Sequence, residues 1–157
     1  MPSSPQALIV HERDAEEVPL PGGGQFRLLE DSRATCGLLG ANRLVLPAGA
    51  DGTRPHHHRL STELFYVLGG TMEFLLDGTL TAVGKGGLIV VPPGVVHGFG
   101  AVADGPAEFF AVLTPGIERF GYFRQLGRIA RGEAGWDSMD ALHERYDVHF
   151  VGGPQWR

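Results

Sequence analysis

The feature that most constrains the fold is a series of short apolar runs, separated by turn signals, between residues 26 and 114. One run ends at Asp77 and Gly78, a pair that favours a tight hairpin because both residues accept positive φ. No stretch between the runs is long enough for the crossover that parallel strands require. The pattern is typical of an antiparallel sandwich or barrel, and it predicts an all-β domain over residues 26–115. The predicted strands are 26–29, 37–46, 56–58, 64–68, 72–76, 80–83, 88–91, 95–99 and 108–114.

The segments on either side of this domain have different patterns. Residues 1–25 are predicted to form a weakly structured N-terminal arm, in which residues 7–10 are a candidate short strand. Residues 116–157 are predicted to form a short helical C-terminal tail packed on the barrel. Apolar residues recur at helical spacing over 117–129, and Asp137 is a candidate N-cap for a second helix.

Composition and charge narrow the class of protein. Hydrophobic residues make up 43% of the 157 residues and charged residues 20%, as in soluble globular domains. The net charge of -5 and the scattered basic residues argue against nucleic acid as a partner. No apolar run approaches the length of a membrane span, and the N-terminus lacks the pattern of a signal peptide. Cys36 is the single cysteine, so no intrachain disulfide can form, which favours a cytoplasmic location.

Four of the basic residues lie close together in the sequence. Their spacing is that of a solvated helix face rather than of a phosphate-binding stripe. The residues in this group are Arg119, Arg124, Arg128 and Arg131.

The residues that carry chemistry begin with a histidine triple. Alternation in a strand places His56 and His58 on one face and His57 on the other. Glu63 follows after a short turn, and His97 follows a rigid Pro-Pro-Gly turn. Three imidazoles and one carboxylate suit one divalent first-row transition metal ion (Fe, Mn, Ni, Co, Cu or Zn) and match calcium or magnesium poorly. We therefore expect these four residues to bind a metal with open coordination positions, which are typical of catalytic sites.

These residues resemble the two sequence motifs of the cupin family. The positions that match the first motif are His56, His58, Glu63 and Gly70. The positions that match the second motif are Gly86, Pro92, Gly94 and His97. The resemblance extends over about residues 26–114 and implies a single cupin barrel, which is a double-stranded β-helix of the jelly-roll type.

The flanking sequence narrows the resemblance. The motif Pro-His-x-His, followed by Glu-Leu-Phe-Tyr-Val-Leu and later by Thr-Pro-Gly-Ile-Glu-Arg-Phe at 114–120, is similar to small bacterial cupins related to quercetin dioxygenases. The resemblance implies a metal-dependent, dioxygenase-like enzyme for a small aromatic, polyketide-like or flavonol-like molecule. Glu63 is then a catalytic candidate, as a ligand and as an acceptor of the substrate hydroxyl proton. Two alternatives stay open: a redox-neutral metal-dependent cyclase or isomerase, and a non-catalytic small-molecule-binding cupin.

Strand parity also selects candidates for the substrate pocket. Phe65 and Val67 share the parity of Glu63, whereas Tyr66 has the opposite parity and is expected on the outer surface. Barrel interiors and ligand pockets are mostly apolar and aromatic, which adds further candidates. The candidate pocket residues are Phe65, Val67, Met72, Phe74 and Phe99. Because cupin barrels commonly pair, the resemblance also implies a homodimer, to which the arm at residues 1–25 would contribute.

Overall fold

The computed structural model of the chain describes residues 6–153 and 155–157, which form two antiparallel sheets and a C-terminal tail. The strands are β1 (Glu16–Pro19), β2 (Gln25–Glu30), β3 (Gly40–Leu46), β4 (Asp51–His57), β5 (Thr62–Gly69), β6 (Thr71–Leu76), β7 (Thr79–Gly84), β8 (Leu88–Val91), β9 (His97–Ala101), β10 (Ala107–Thr114) and β11 (His149–Phe150). The helices are α1 (Phe120–Ala130) and α2 (Asp140–Arg145), with short 3-10 helices at Glu12–Asp14 and Trp136–Met139. The predicted all-β class is confirmed.

The two sheets exchange strands along the chain, as in a jelly roll. One sheet has the order β1-β2-β3-β10-β5-β8, and the other has the order β11-β4-β9-β6-β7. From β3 onward the chain changes sheet at every connection except the β6–β7 hairpin. The inner faces of the two sheets therefore enclose a single barrel interior.

The barrel interior is filled because alternate side chains of each strand point inward. In β10, Ala107, Phe109, Ala111 and Leu113 are all buried while the residues between them are more exposed. The rings of Phe65, Phe74, Phe99 and Phe109 pack against one another with centroids 5.0–5.9 Å apart. Such edge and tilted contacts stabilise aromatic pairs beyond the burial of their surface.

Two glycine-containing turns have the local geometry that the sequence predicts. Asp77 and Gly78 have φ values of 47° and 87° and connect β6 to β7, as a two-residue hairpin turn with positive φ requires. Gly70, a motif position, has φ 65°, and a Cβ atom at this position would overlap the carbonyl oxygen of Pro106. Glycine is therefore required at Gly70 by both its backbone conformation and its close approach to another segment.

The N-terminal segment differs from its prediction in two places. Residues 7–10 are not a strand, so that prediction is wrong. Instead β1 pairs with β2, with Val18 opposite Phe26, and Val18 is buried. The β1 sequence lacks the regular apolar alternation of a strand, and its conformation depends on the neighbouring strand and the tail packed over it. The predicted domain limits stay a prediction.

The helical tail is present, but its boundaries differ from those predicted. The first helix begins at Phe120, and Asp137 lies in the 3-10 helix rather than at the N-cap of α2, which is occupied by Met139. Within the described residues, no helix combines the length and the apolarity needed to cross a membrane.

The tail packs across one end of the barrel. Phe123 of α1 stacks on Phe26 of β2 at 4.3 Å between ring centroids, and Tyr122 is buried beside it. Near the C-terminus, β11 extends the second sheet by pairing with β4, with Phe150 opposite His56. The tail thus contacts both sheets and also the strand that carries the histidine triple.

Asp147 connects the tail to the turn between β4 and β5. It has φ 55°, and its carboxylate accepts hydrogen bonds of 2.9–3.0 Å from the backbone N–H groups of Arg59 and Leu60. A contact of 2.8 Å joins the same carboxylate to His149 Nε2. Partial burial alone would raise the pKa of Asp147, but these hydrogen bonds outweigh it and lower the pKa. The ionised carboxylate therefore holds the turn that precedes Glu63.

We expect Asp147→Asn to lower the free energy of unfolding by about 1–3 kcal/mol, because the amide offers one acceptor oxygen where the carboxylate offers two. Urea unfolding followed by circular dichroism measures the difference. Asp77→Asn is the matched control, because Asp77 also has positive φ but is exposed and accepts no side-chain hydrogen bond within the described residues. Equal, small effects of the two substitutions would contradict the role assigned to Asp147.

Candidate metal centre

The four predicted ligands lie together between the two sheets. His56 is in β4, directly opposite His97 of the neighbouring β9, while Glu63 projects from β5 in the facing sheet. His58 follows β4, and its carbonyl accepts a 2.7 Å hydrogen bond from the N–H of Gly94 in the Pro-Pro-Gly turn. The two motif segments are thus joined directly. One candidate ligand atom from each of the four residues lies within 4.8 Å of all the others, and all four residues are buried.

His57 lies on the opposite face of β4, as strand alternation predicts. Its ring stacks on His149 of β11, with 5.2 Å between ring centroids, and it does not belong to the four-residue cluster. The histidine triple therefore contributes two members to the centre and one to the contact with the tail.

The hydrogen bonds of the three histidines orient their rings toward the centre. The Nδ1 atoms of His56, His58 and His97 lie 2.9, 2.8 and 3.0 Å from the carbonyl oxygens of Arg54, Asp147 and Val95. A carbonyl oxygen only accepts hydrogen bonds, so each Nδ1 must carry the proton. In the neutral tautomer that this selects, each Nε2 has a free lone pair. Metal-binding histidines are commonly oriented in this way, by a hydrogen bond from the ring nitrogen that does not face the metal.

The Glu63 carboxylate completes the centre. Its Oε2 lies 3.0 Å from His58 Nε2 and 3.2 Å from His97 Nε2. If both rings are neutral, lone pairs face a carboxylate oxygen, which is favourable only when a cation is shared between them. The donor set therefore fits a divalent metal ion, and the four buried residues could hold one.

Arg119 binds the other oxygen of the same carboxylate. Its Nη2 donates to Glu63 Oε1 at 2.8 Å and to Asn42 Oδ1 at 3.3 Å, and its guanidinium lies 5.1 Å from the Phe123 ring centroid. Arg119 precedes α1 and is only 8% exposed. A buried cation is thus paired with a buried anion, which removes much of the cost of burying either alone.

The electrostatics of the centre keep its members in the forms that bind metals. Burial alone would raise the pKa of Glu63, but Arg119, His58 and His97 outweigh burial and hold it well below its ordinary value. Burial, together with His97 and His58, holds the pKa of His56 well below its ordinary value. Glu63 is therefore ionised and His56 is neutral at physiological pH.

A cavity of about 600 Å³ lies between the centre and the C-terminal tail. The cluster residues His56, His58 and Glu63 line it at one end. Aromatic residues of the barrel and of the tail form much of its wall. These residues are Phe26, Phe65, Phe99, Phe109, Tyr122, Phe123, Trp136, Phe150 and Trp156.

Two of the five predicted pocket residues line this cavity, and three do not. Phe65 and Phe99 contribute to the wall, whereas Val67, Met72 and Phe74 have no exposed surface and lie in the packed core. Parity fixes which face of a strand a residue occupies, but not its depth along the barrel. On β5, Phe65 reaches the cavity, whereas Val67, two residues farther along the same face, is fully buried in the core.

The sequence did not single out Arg119. The spacing of the basic residues predicts a solvated helix face of Arg119, Arg124, Arg128 and Arg131, but only the last three are exposed. Arg119 lies one residue before α1, where the chain still contacts the barrel, and its partner Glu63 is 56 positions earlier. No local signal in the sequence indicates a pairing over that separation.

Comparison with known proteins agrees with this geometry. Residues 42–113 match the family model described as a cupin domain. No curated protein sequence gives a significant match.

Solved structures give further matches. An RmlC-like cupin from Shewanella frigidimarina is 23% identical with a TM-score of 0.62, and the match covers 73% of this chain and 96% of that one. KdgF from Halomonas is 21% identical with a TM-score of 0.64, covering 73% and 99%. The polyketide cyclase RemF from Streptomyces resistomycificus is 28% identical with a TM-score of 0.58, covering 70% and 80%. The family match over residues 42–113, the two-sheet barrel and these structural likenesses together show that this chain has the cupin fold.

Proposed function

We propose that this chain is a metal-dependent enzyme acting on a flat, oxygen-rich aromatic or polyketide-like molecule, with a dioxygenase-like reaction as the leading candidate. The observation that carries the proposal is the convergence of four buried ligand atoms, within 4.8 Å of one another, at one end of a cavity with aromatic walls. A volume of about 600 Å³ falls in the range of small-molecule sites. Aromatic walls favour flat rings, which stack on them or pack edge to face.

The residues around the centre have separate tasks in this proposal. His56, His58 and His97 would hold the metal through Nε2, and each ring is oriented by a backbone carbonyl on Nδ1. A bound divalent metal would supply Lewis acidity toward a substrate phenol or enol oxygen and would bring that substrate and dioxygen together. Phe65 and Phe99 exclude water from the same end of the cavity.

Glu63 is the fourth ligand and the candidate catalytic residue. Because Arg119 and the histidines lower its pKa, Glu63 is a weak base. Glu63 therefore acts mainly as a metal ligand. It accepts a substrate hydroxyl proton only when that hydroxyl is itself made acidic by the same centre.

A redox-neutral cyclase is the second candidate, and one observation favours it. Among the solved structures described above, RemF, a polyketide cyclase, has the highest sequence identity, 28%. A cyclase would use the same ligands and the same aromatic cavity, with the metal as a Lewis acid only. The nature of the metal and the need for oxygen distinguish the two candidates.

The first prediction of the proposed function concerns metal content. We expect about one first-row transition metal ion per purified chain, measured by inductively coupled plasma mass spectrometry, and its loss in a His56→Ala/His97→Ala double variant. His57→Ala is the matched control: His57 is the middle member of the same triple but lies outside the cluster, so the ion should be retained.

The identity of the ion decides between the reactions. A redox-active ion, with oxygen uptake on addition of a flavonol that is lost in Glu63→Ala, would support the dioxygenase-like reaction. Zinc with turnover in the absence of oxygen would support the cyclase. A wild-type chain that takes up no metal, even after reloading, would overturn the proposed function and leave a metal-free binder.

The second prediction concerns Arg119. We expect Arg119→Gln to weaken metal binding about 10–100-fold, because the residue orients and neutralises a ligand without touching the metal. Competition with a chromophoric chelator measures the affinity. Arg124→Gln is the control, since Arg124 lies five residues away and forms its salt bridge with the exposed Glu16 rather than with Glu63. An unchanged metal affinity in Arg119→Gln would show that the Glu63 geometry does not depend on this ion pair.

We also propose that the chain is a cytoplasmic homodimer. The support is an apolar patch on the outer face of β5 and the edge strand β8, where Tyr66, Leu88 and Val90 are 42%, 58% and 53% exposed. Such a patch at a sheet edge is a frequent site of association. In the structure β1 pairs with β2 of its own chain, so the proposed contact does not require exchanged arms.

The third prediction tests this contact by light scattering. We expect twice the mass of one chain at micromolar concentration and a shift toward one chain mass in Leu88→Lys/Val90→Lys. Leu38→Lys is the control, because Leu38 is 71% exposed but lies outside β5 and β8. A single-chain mass for the wild type would contradict the dimer.

A further inference from the structure

Arg54 is a cation in the cavity wall, and it is not part of the four-residue metal cluster. Its guanidinium carbon lies 4.1 Å from the centroid of the Phe150 ring, and that ring lies 5.9 Å from the ring of His56. The guanidinium is therefore no more than 10.0 Å from the His56 ring centroid. Within the described residues, its side chain forms no salt bridge and no hydrogen bond. It is held by a cation–π contact alone, with its donors available.

Two further side chains of the tail lie beside Arg54. Tyr122 lines the cavity, is 8% exposed, and its hydroxyl has no hydrogen-bond partner among the described residues. Burial raises the pKa of Tyr122 to about 12 while the nearby charges of Arg54 and Arg119 oppose the rise, so the hydroxyl remains a donor. His143 packs on Phe150 at 4.7 Å, and burial together with the charge of Arg54 lowers its pKa.

The other charges of the cavity do not neutralise Arg54. Glu63 is already paired with Arg119, and Asp51 is paired with Arg157 at 2.7 Å. Asp137 and Asp140 also line the cavity, but both are exposed at its outer edge. Among the described residues, the Arg54 guanidinium therefore has no salt-bridge partner in the cavity wall. Partly desolvated cations of this kind favour an anionic partner.

We propose that Arg54 and Tyr122 form an anion-binding subsite, and that the substrate carries a carboxylate or an ionised phenol about one ring away from the oxygen that meets the metal centre. The guanidinium and the hydroxyl both donate to this anionic group, and the substrate ring lies in the aromatic-walled cavity between this subsite and the metal centre. The inference rests on the proposed function for the orientation of the substrate, but the subsite itself needs no metal. It narrows the substrate class to flat, anionic molecules.

The test compares two probes of nearly the same shape, the anionic 2-naphthoate and the neutral 2-naphthamide, on the full chain freed of metal by a chelator. We expect naphthoate to bind at least about tenfold more tightly by isothermal titration calorimetry, as charge-assisted hydrogen bonds imply. Arg54→Gln should bring the two affinities to within about twofold, and Tyr122→Phe should lower the naphthoate preference about two- to tenfold. Arg59→Gln is the control, because Arg59 is exposed and does not line the cavity.

The outcomes separate this proposal from the proposed function. Equal affinities of the two probes for the wild type, no binding of naphthoate, or a preference that persists in Arg54→Gln would each overturn the subsite. Because the chain is metal-free in this experiment, none of these results depends on which metal binds or on whether oxygen is consumed. Conversely, a charge preference that requires Arg54 would stand even if the metal-content measurement failed.

Discussion

The carboxylate of Glu63 is the group on which the centre depends. One oxygen meets His58 and His97 of the barrel, and the other meets Arg119 of the C-terminal segment. Burying a carboxylate without partners is costly, and the ion pair with Arg119 offsets this cost on one side while the histidine side suits a shared cation. The same carboxylate therefore connects the barrel, the candidate metal site and the tail, and removing any one partner would disturb the other two.

The barrel makes this arrangement rigid because its ligands come from both sheets. Antiparallel pairing of β4 with β9 places His56 opposite His97, and β5 presents Glu63 from the facing sheet. Backbone carbonyls then fix the tautomer of each histidine, so the ring orientations do not depend on mobile side chains. Sites built on strands in this way hold their geometry more closely than sites on loops.

The tail turns this end of the barrel into a walled cavity. Residues of α1, the Trp136–Met139 segment, α2 and β11 complete a wall that the barrel alone would leave open. They also add polar groups that the barrel motifs lack, with Arg119 at the carboxylate and Tyr122 beside Arg54. Related barrels with different tails would present different cavities to a similar centre, since function depends on such sites rather than on the fold.

The sequence by itself determined the strand pattern, the class of fold and the four residues that meet at the centre. Strand parity is a local property that pairs His56 with His58, and the resemblance to the two cupin motifs adds Glu63 and His97. Only the tertiary structure decided which buried residues face the cavity and which, like Met72, fill the core, because both kinds are apolar and inward. Only the tertiary structure also places Arg119 beside Glu63, because a pairing across 56 positions depends on where the tail packs.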